Sequence, residues 1–471
     1  MEYVPYNLRK KILLLSDDMR IPSGVGTISK EIIINTAHVF NWVQIGSMIN
    51  NPDVGKIIDV SEDIKNHLGY DDIKTLIYPS NGYGNPFLLR QIMDIEKPEI
   101  IMIFTDPRYW VWLFEMEYEI HQRGIKIVYY HVWDNVPFSY YNKPYFESCD
   151  LIMAISKLSY NNVKYVVGKD KVNELKLDNI QNKKDKNLML SYVPHGINSK
   201  DYFPINENDV EFKTFISTKL PENKENYDFI IFFNSRNIRR KLITDVIMSY
   251  KGLCDILKDK KLLLYLHTSV SDQAGTDLDA VISDLFSNYD IIVDEQVYSK
   301  KHMNYLYNMA NLTISISNAE GFGLSTAESL MAGTPILVNV TGGLQDQCGF
   351  KIDDKYITVD DFDEIKNTNN KGQITKLHGD WCYPVFPAST TCNGSIETPY
   401  IFDDIVNTED VTKQLLKAFH DKDNIDNQVG RQYLIENNMD SDSMCKNIVK
   451  SINLCLENKI IDKNKINILK V

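Results

Sequence analysis

Two carboxylates, Glu320 and Glu328, bracket a glycine-containing bend, Asn318-Ala-Glu-Gly-Phe-Gly-Leu-Ser-Thr-Ala-Glu328, that runs into an Ala- and Leu-rich segment of helical character. The preceding stretch, Leu312-Thr-Ile-Ser-Ile-Ser317, reads as a buried strand, and Ser325 and Thr326 stand where a helix N-cap is expected. A loop that opens a helix at the carboxyl end of a strand aims unpaired backbone N–H groups at one spot, which suits a phosphate. One carboxylate lies in the loop and the other about a helical turn further on. A ligand with hydroxyls at both ends and a phosphate between them fits that arrangement, and a nucleotide-sugar has that form.

Arg236 and Lys241 supply the matching positive charge. The apolar run Phe229-Ile-Ile-Phe-Phe-Asn234 delivers Ser-Arg-Asn-Ile-Arg-Arg-Lys at its carboxyl end, where open α/β sheets bind ligands. Taking a sugar off a nucleotide leaves a diphosphate whose charge grows in the transition state. A fixed guanidinium and ammonium stabilise that charge without a metal. Arg239 and Arg240 lie between them with no role legible from spacing. Gly24 and Gly26 occupy the first strand-to-helix loop, where the backbone can approach a phosphate closely. His131 follows the apolar run 125–130, with Trp133, Asp134 and Pro137 behind it, while Asp106 before Pro107 reads as a turn starter.

The elements that must position these residues are short apolar runs alternating with amphipathic stretches, the rhythm of βαβ units and a parallel sheet. Runs at 11–16, 99–104, 125–130 and 151–155 form one series. A second begins at 229–234 and continues through 262–267, 289–293, 312–317 and 335–340. Between them, about 201–226, lies a polar stretch broken by Pro204 and Pro221. The expected division is 1–205, 206–445 with an irregular insertion at about 351–400, and a helical tail at 446–471. Trp381, Tyr383 and Tyr400 in the insertion are candidates either to stack on a sugar or to anchor a long loop.

Glu320 and Glu328 with seven residues between them, Ala332-Gly-Thr-Pro335, and Arg236 with four residues before Lys241 together resemble retaining GT-B glycosyltransferases of the family 4 type. The resemblance implies an α/β fold of two Rossmann-like parallel-sheet domains facing across a cleft, with a C-terminal helix crossing back to the first. It implies transfer of a sugar from a nucleoside diphosphate-sugar to a glycan, lipid-linked or protein acceptor, with anomeric configuration kept. Glu320, Arg236, Lys241 and His131 would then be catalytic. Gly24, Gly26, Val297, Phe322, Gly323, Leu324 and Glu328 would bind the donor, with Glu328 on the ribose. No metal or cofactor is expected. The family's His-Asp-x-x-Pro is spread here into His131-Val-Trp-Asp-Asn-Val-Pro137, so the resemblance leaves a role for Asp134 open. A GT-B epimerase or phosphorylase, a non-catalytic GT-B subunit and a transferase acting on modified DNA remain as alternatives.

Composition narrows the field. A chain of 471 residues exceeds one compact core, and 43% hydrophobic with 24% charged residues is ordinary for a globular protein. The net charge of −13 argues against a general nucleic-acid or anionic-membrane binder, leaving peripheral membrane contact as an open partner question. The seven cysteines include no Cys-x-x-Cys and are expected as free thiols, with a Cys382–Cys392 pair as the alternative. The start of the chain has no signal-peptide core and no run has the length of a membrane span, so a cytoplasmic protein is expected. The Asp-x-Asp triplets at 277–279, 361–363 and 440–442 read as solvated surface.

Overall fold

Strands whose residues are apolar throughout must bury both faces, and parallel sheets covered by helices on each side do so. The computed structural model describes residues 1–177, 188–362 and 377–458. Its first sheet comprises β1 (Lys10–Asp17), β2 (Phe40–Met48), β3 (Ile58–Asp59), β4 (Thr75–Asn81), β5 (Ile100–Thr105), β6 (Lys126–His131), β7 (Leu151–Ala154), β8 (Val172–Glu174) and β9 (Leu188–Tyr192). The strand order is β3-β4-β2-β1-β5-β6-β7-β9-β8, parallel except where β3 meets β4. The second sheet comprises β10 (Phe229–Asn234), β11 (Leu262–His267), β12 (Ile291–Asp294), β13 (Leu312–Ser315), β14 (Ile336–Asn339) and, beyond the short ladder of β15 (Lys351–Ile352) and β16 (Lys355–Tyr356), β17 (Cys382–Val385). Its order is β12-β11-β10-β13-β14-β17, all parallel.

Each sheet reverses its winding beside its first strand, at β1/β5 and at β10/β13. Ligands bind such switch points at the strands' carboxyl ends, which is where the chain puts its glycine segment and its Arg–Lys turn. β1 shows why the placement is rigid. Ile12 and Leu14 face a core shared with Ile28 and Ile32, while Leu13 and Leu15 face one containing Ile101 and Ile103. All four are fully buried, and each such side chain contributes about 1.5–3 kcal/mol of transfer free energy.

The last helix, Ser441–Glu457, returns to the first sheet. Asp440 caps it by accepting from the Ser443 N–H, Ile197 pairs with Asp440, and Ser451 Oγ meets Ser191 Oγ at 3.1 Å. Its Met444, Cys445, Ile448 and Ile452 complete a core that includes Ile28 of the first half and Phe322 of the second. The two halves are therefore joined through packed apolar surface. Residues 459–471 of the expected tail lie outside the described residues, as do Asp363 and the Asn-rich stretch 367–370.

Several expectations are corrected. The insertion at 351–400 is less irregular than its composition implies, because Cys382-Tyr-Pro-Val385, just after Trp381, enters the second sheet as β17 beside β14. Trp381 is buried, donates Nε1–H to the Gln347 carbonyl at 3.0 Å and packs on Tyr433. Tyr383 is buried too, so both rings anchor the fold. Tyr400 lies between β18 (Ser389–Asn393) and β19 (Ile401–Ile405), a hairpin that docks on the first half. There Tyr400 packs edge-on against Tyr141, and the Phe402 N–H donates to the Val136 carbonyl at 2.7 Å. β2 and β4 were not anticipated, since Asn41, Gln44 and Ser47 interrupt the apolar pattern. Gln44 is nonetheless fully buried, with its amide donating to Ser16 Oγ and the Asp17 carbonyl at 2.9 Å each. The cysteines are free, with Cys382 buried and Cys392 exposed on the hairpin. Asp277 and Asp440 of the Asp-x-Asp triplets serve as helix caps.

Candidate active site

The bend between β13 and the helix Leu324–Met331 is built around Gly323. Its φ is +91°, and a Cβ there would strike the Leu344 side chain and sit 2.9 Å from Thr326 Oγ1. The N-cap is Gly323, not Ser325 or Thr326, which already belong to the helix. Thr326 turns its hydroxyl back to the Gly323 carbonyl at 2.9 Å. No side chain caps this helix, so its first backbone donors stay available to an anion. Gly24 approaches from the first half, where a Cβ would lie 3.3 Å from Leu324 Cδ1. The glycine segment and the helix mouth thus face one another across a cleft. A cavity lined by Thr27, Glu31, Tyr202, Lys300, Leu324 and Glu328 opens between the halves.

Glu320 is the charged centre. The turn after β10 brings Lys241 Nζ into direct contact with its Oε2, and Arg240 Nη1 donates to the same oxygen at 3.1 Å. Burial by itself would raise the Glu320 carboxyl. The Lys241 ammonium and Arg240 guanidinium outweigh it and hold the group at about 2. Burial lowers Lys241 despite the Glu320 charge. It also works against Arg240, whose charge is restored by Glu320 and by Asp134 of the first half. Asp134 itself is pushed up by burial, with Arg240 opposing. Arg240 is the residue that spacing failed to single out. Three adjacent basic residues, Arg239-Arg240-Lys241, could have flagged the turn, but a one-turn 3-10 segment decides which of them points inward.

Glu328 sits in different company. It accepts from Tyr307 Oη at 2.7 Å, with the Tyr202 hydroxyl nearby. Burial raises its carboxyl, partly offset by these two hydroxyls and by Lys300. Lys300 in turn spans the halves, pairing with Asp201 at 2.6 Å and with Glu31 at 3.4 Å.

The other predicted residues divide. Arg236 does not join Glu320: its side chain is 69% exposed and Nε donates to Asp272 at 2.7 Å. It is separated from Lys241 by Asn237, whose amide bonds inward to the carbonyls of Ser269 and Thr276, so the turn directs the two cations apart. Gly24 and Gly26 belong not to the loop but to the first turn of a helix, Gly24–Thr36. There the Gly26 N–H donates to the capping Ser23 Oγ at 2.9 Å, and a Cβ on Gly26 would lie 2.7 Å from the Ile21 carbonyl and 2.9 Å from that of Asp18. His131 is fully buried between Tyr129, Trp133 and Phe146. Neither ring nitrogen has a hydrogen-bond partner among the described residues, and burial lowers it to about 3. Phe322 is buried against His195, a ring that Tyr130 holds through Nδ1 at 2.9 Å. Val297 is 87% exposed just beyond β12.

Comparison with known proteins agrees with this architecture. Residues 211–360 match the model of a family described as "Family 4 Glycosyltransferase in conflict systems". HepE of Anabaena, solved in complex with UDP and glucose, superposes with a TM-score of 0.61 at 13% identity, covering 94% of this chain and 100% of its own. Sucrose-phosphate synthase of Thermosynechococcus elongatus gives a TM-score of 0.63 at 13% identity over 94% and 98% of the two chains. A glycosyltransferase of Rickettsia africae gives 0.63 at 16% identity over 96% and 100%. A search of curated proteins returns no match. The fold is GT-B, and residues 211–360 are similar to family 4 glycosyltransferases. Among the described residues, no helix is long and apolar enough to cross a membrane.

Proposed function

We propose that the protein transfers a sugar from a nucleoside diphosphate-sugar, a UDP-sugar foremost, to an acceptor hydroxyl with retention of configuration and without a metal. The observation that carries this reading is the half-buried Glu320 held by Lys241 and Arg240 beside an uncapped helix mouth. The diphosphate would lie against the N–H groups that open the helix and against Gly24. Lys241 and Arg240 would face the growing negative charge of the leaving group, and Arg236 would join them on exchanging Asp272 for a phosphate oxygen. Fixed charges in a water-poor site stabilise a transition state far more than in water.

Glu320, with the N–H groups of Phe322, Gly323 and Leu324, would hold the sugar and favour an oxocarbenium-like ring. The bond from the anomeric carbon to the diphosphate breaks as the acceptor oxygen bonds to the same face. The acceptor's proton passes to the departing phosphate oxygen, so no protein base is required. His131, which burial keeps neutral, and Asp134 would border the sugar from the first half. Glu328 would accept from the ribose hydroxyls and Val297 would lie beside the base. UDP in the HepE complex supports the choice of base, and the matched family's description supports a role in conflict systems. The acceptor would be a glycan, a lipid-linked sugar or a protein.

A thermal-shift panel of UDP-, GDP- and ADP-sugars tests the donor, because a bound donor stabilises the fold by mass action. One member should raise the melting temperature, and that donor should then be consumed only when acceptor is added, with EDTA lacking effect. Donor isomerised without acceptor would replace transfer by epimerisation.

A further inference from the structure

A line of hydrogen bonds joins Glu328 to the loop that carries Val297. Tyr307 Oη donates to Glu328 Oε2 at 2.7 Å, and Asn234 Nδ2 donates to Tyr307 Oη at 2.8 Å. Asn234 Oδ1 faces His267 Nδ1 at 2.8 Å, and His267 Nε2 faces the Gln296 carbonyl at 2.8 Å. Asn234 and His267 end the neighbouring strands β10 and β11, in register. Gln296 follows β12. The line therefore crosses the carboxyl edge of the second sheet.

Its protons can be counted. Both ring nitrogens of His267 face carbonyl oxygens, which accept only, so both bonds form only when the imidazole carries two protons. Turning the Asn234 amide over lets neutral His267 accept at Nδ1. Tyr307 must then spend its one proton on Asn234, and its oxygen needs a proton from Glu328. Either arrangement holds one proton more than neutral His267 with ionised Glu328. A bound ribose discriminates between them, because hydroxyls that donate to Glu328 stabilise a carboxylate more than a neutral acid. The extra proton then belongs on His267.

We infer that His267 is a positioning residue for the nucleotide: in its charged form it fixes the Gln296 peptide beside the base and, through Asn234 and Tyr307, the carboxylate under the ribose. The inference rests on the nucleotide-sugar reading of this site.

Charged and titratable neighbours come from each packed element. Asp294 on β12 accepts from the hydroxyls of Tyr265 and Tyr298, and the Tyr298 ring lies 5.5 Å from His267. Lys219 reaches the Gln296 side chain and covers Tyr298, Glu295 accepts from the Val270 N–H, and Arg236 pairs with Asp272. At the far end stand Tyr202, Lys300 and Asp201.

The test is the affinity for UDP-glucose, with GDP- and ADP-glucose alongside, measured by calorimetry from about pH 5 to about pH 8, the span in which histidine titrates. These diesterified diphosphates do not titrate there. Wild-type affinity should fall about tenfold as pH rises, the worth of one charge-assisted hydrogen bond. His267→Gln should bind more weakly with the slope gone. Glu328→Gln, whose amide donates to Tyr307 without an extra proton, should also bind weakly and without a slope. A flat wild-type profile, or a slope retained in His267→Gln, overturns the inference while leaving the nucleotide site standing. Failure of all three nucleotide-sugars to bind the wild type at any pH overturns the site reading and the inference with it.

Discussion

Glu320 and Glu328 are the same side chain, eight positions apart and both half-buried, yet the fold makes them opposites. Glu320 meets an ammonium and a guanidinium, and stays ionised to about 2. Glu328 meets two tyrosine hydroxyls and a more distant lysine, and burial raises it. Desolvation opposes the carboxylate at both positions. What differs is whether a full positive charge touches the oxygen, because a hydroxyl returns only part of the solvation that a cation restores. Glu320 is thereby a charge held in a cationic site, and Glu328 a hydrogen-bond acceptor among hydroxyls.

The largest effect should come from breaking the charged member. Lys241→Ala removes the cation in contact with Glu320 and should lower kcat by about a thousandfold or more, read in a transfer assay. It should also destabilise the fold by about 3–5 kcal/mol, since a buried carboxylate loses a partner, read by denaturant melting. Glu320→Gln should cause a similar loss of kcat and a comparable loss of stability, because it leaves the Lys241 ammonium without its carboxylate. Wild-type rates in that variant would remove Glu320 from the mechanism.

At the neutral-partnered end, Glu328→Gln should weaken donor binding by about ten- to a hundredfold, the worth of ribose hydrogen bonds to a charged group. Its kcat at saturating donor should change far less than that of Glu320→Gln. A kcat collapse in Glu328→Gln with unchanged donor affinity would erase the proposed division of labour. Arg236→Ala should be milder still, about a tenfold loss of donor affinity, because its guanidinium rests on Asp272 in the surface layer.

The smallest effect is the sharpest in sign. Glu320 is held at about 2, below the ordinary glutamate value of about 4.3, so its contribution to stability is present above that ordinary value and disappears as pH falls through about 2. Glu328 is raised, so its contribution is present below the ordinary value and is lost as pH rises through the raised one. Acid melts of the two Glu→Gln variants should therefore diverge from wild type in opposite directions. Parallel curves would mean that the two environments are alike.

Much of this layout was legible beforehand. Apolar runs such as Phe229–Asn234 and Leu262–His267 became strands at their expected positions, because a strand buried on both faces has no periodicity to misread. β2 was missed because Gln44 is polar and buried, its cost offset by Ser16 and the Asp17 carbonyl, partners that the sequence places far away. Likewise Trp381 read as a candidate sugar platform until β17 took it into the core.

The chain alone determined the parallel α/β class, the two series of strands, and the placement of Glu320 and the basic turn beyond strand ends with Glu328 on the helix that follows, because these follow from local periodicity, glycine position and spacing. Tertiary structure decided that Arg240 rather than Arg236 meets Glu320, that His131 is walled in by aromatic rings, and that one glutamate is paired with cations and the other with hydroxyls. Those outcomes depend on which side chains arrive from other strands and from the opposite half. Desolvation and Coulomb energies are set by such neighbours in space, and no spacing along the chain encodes them.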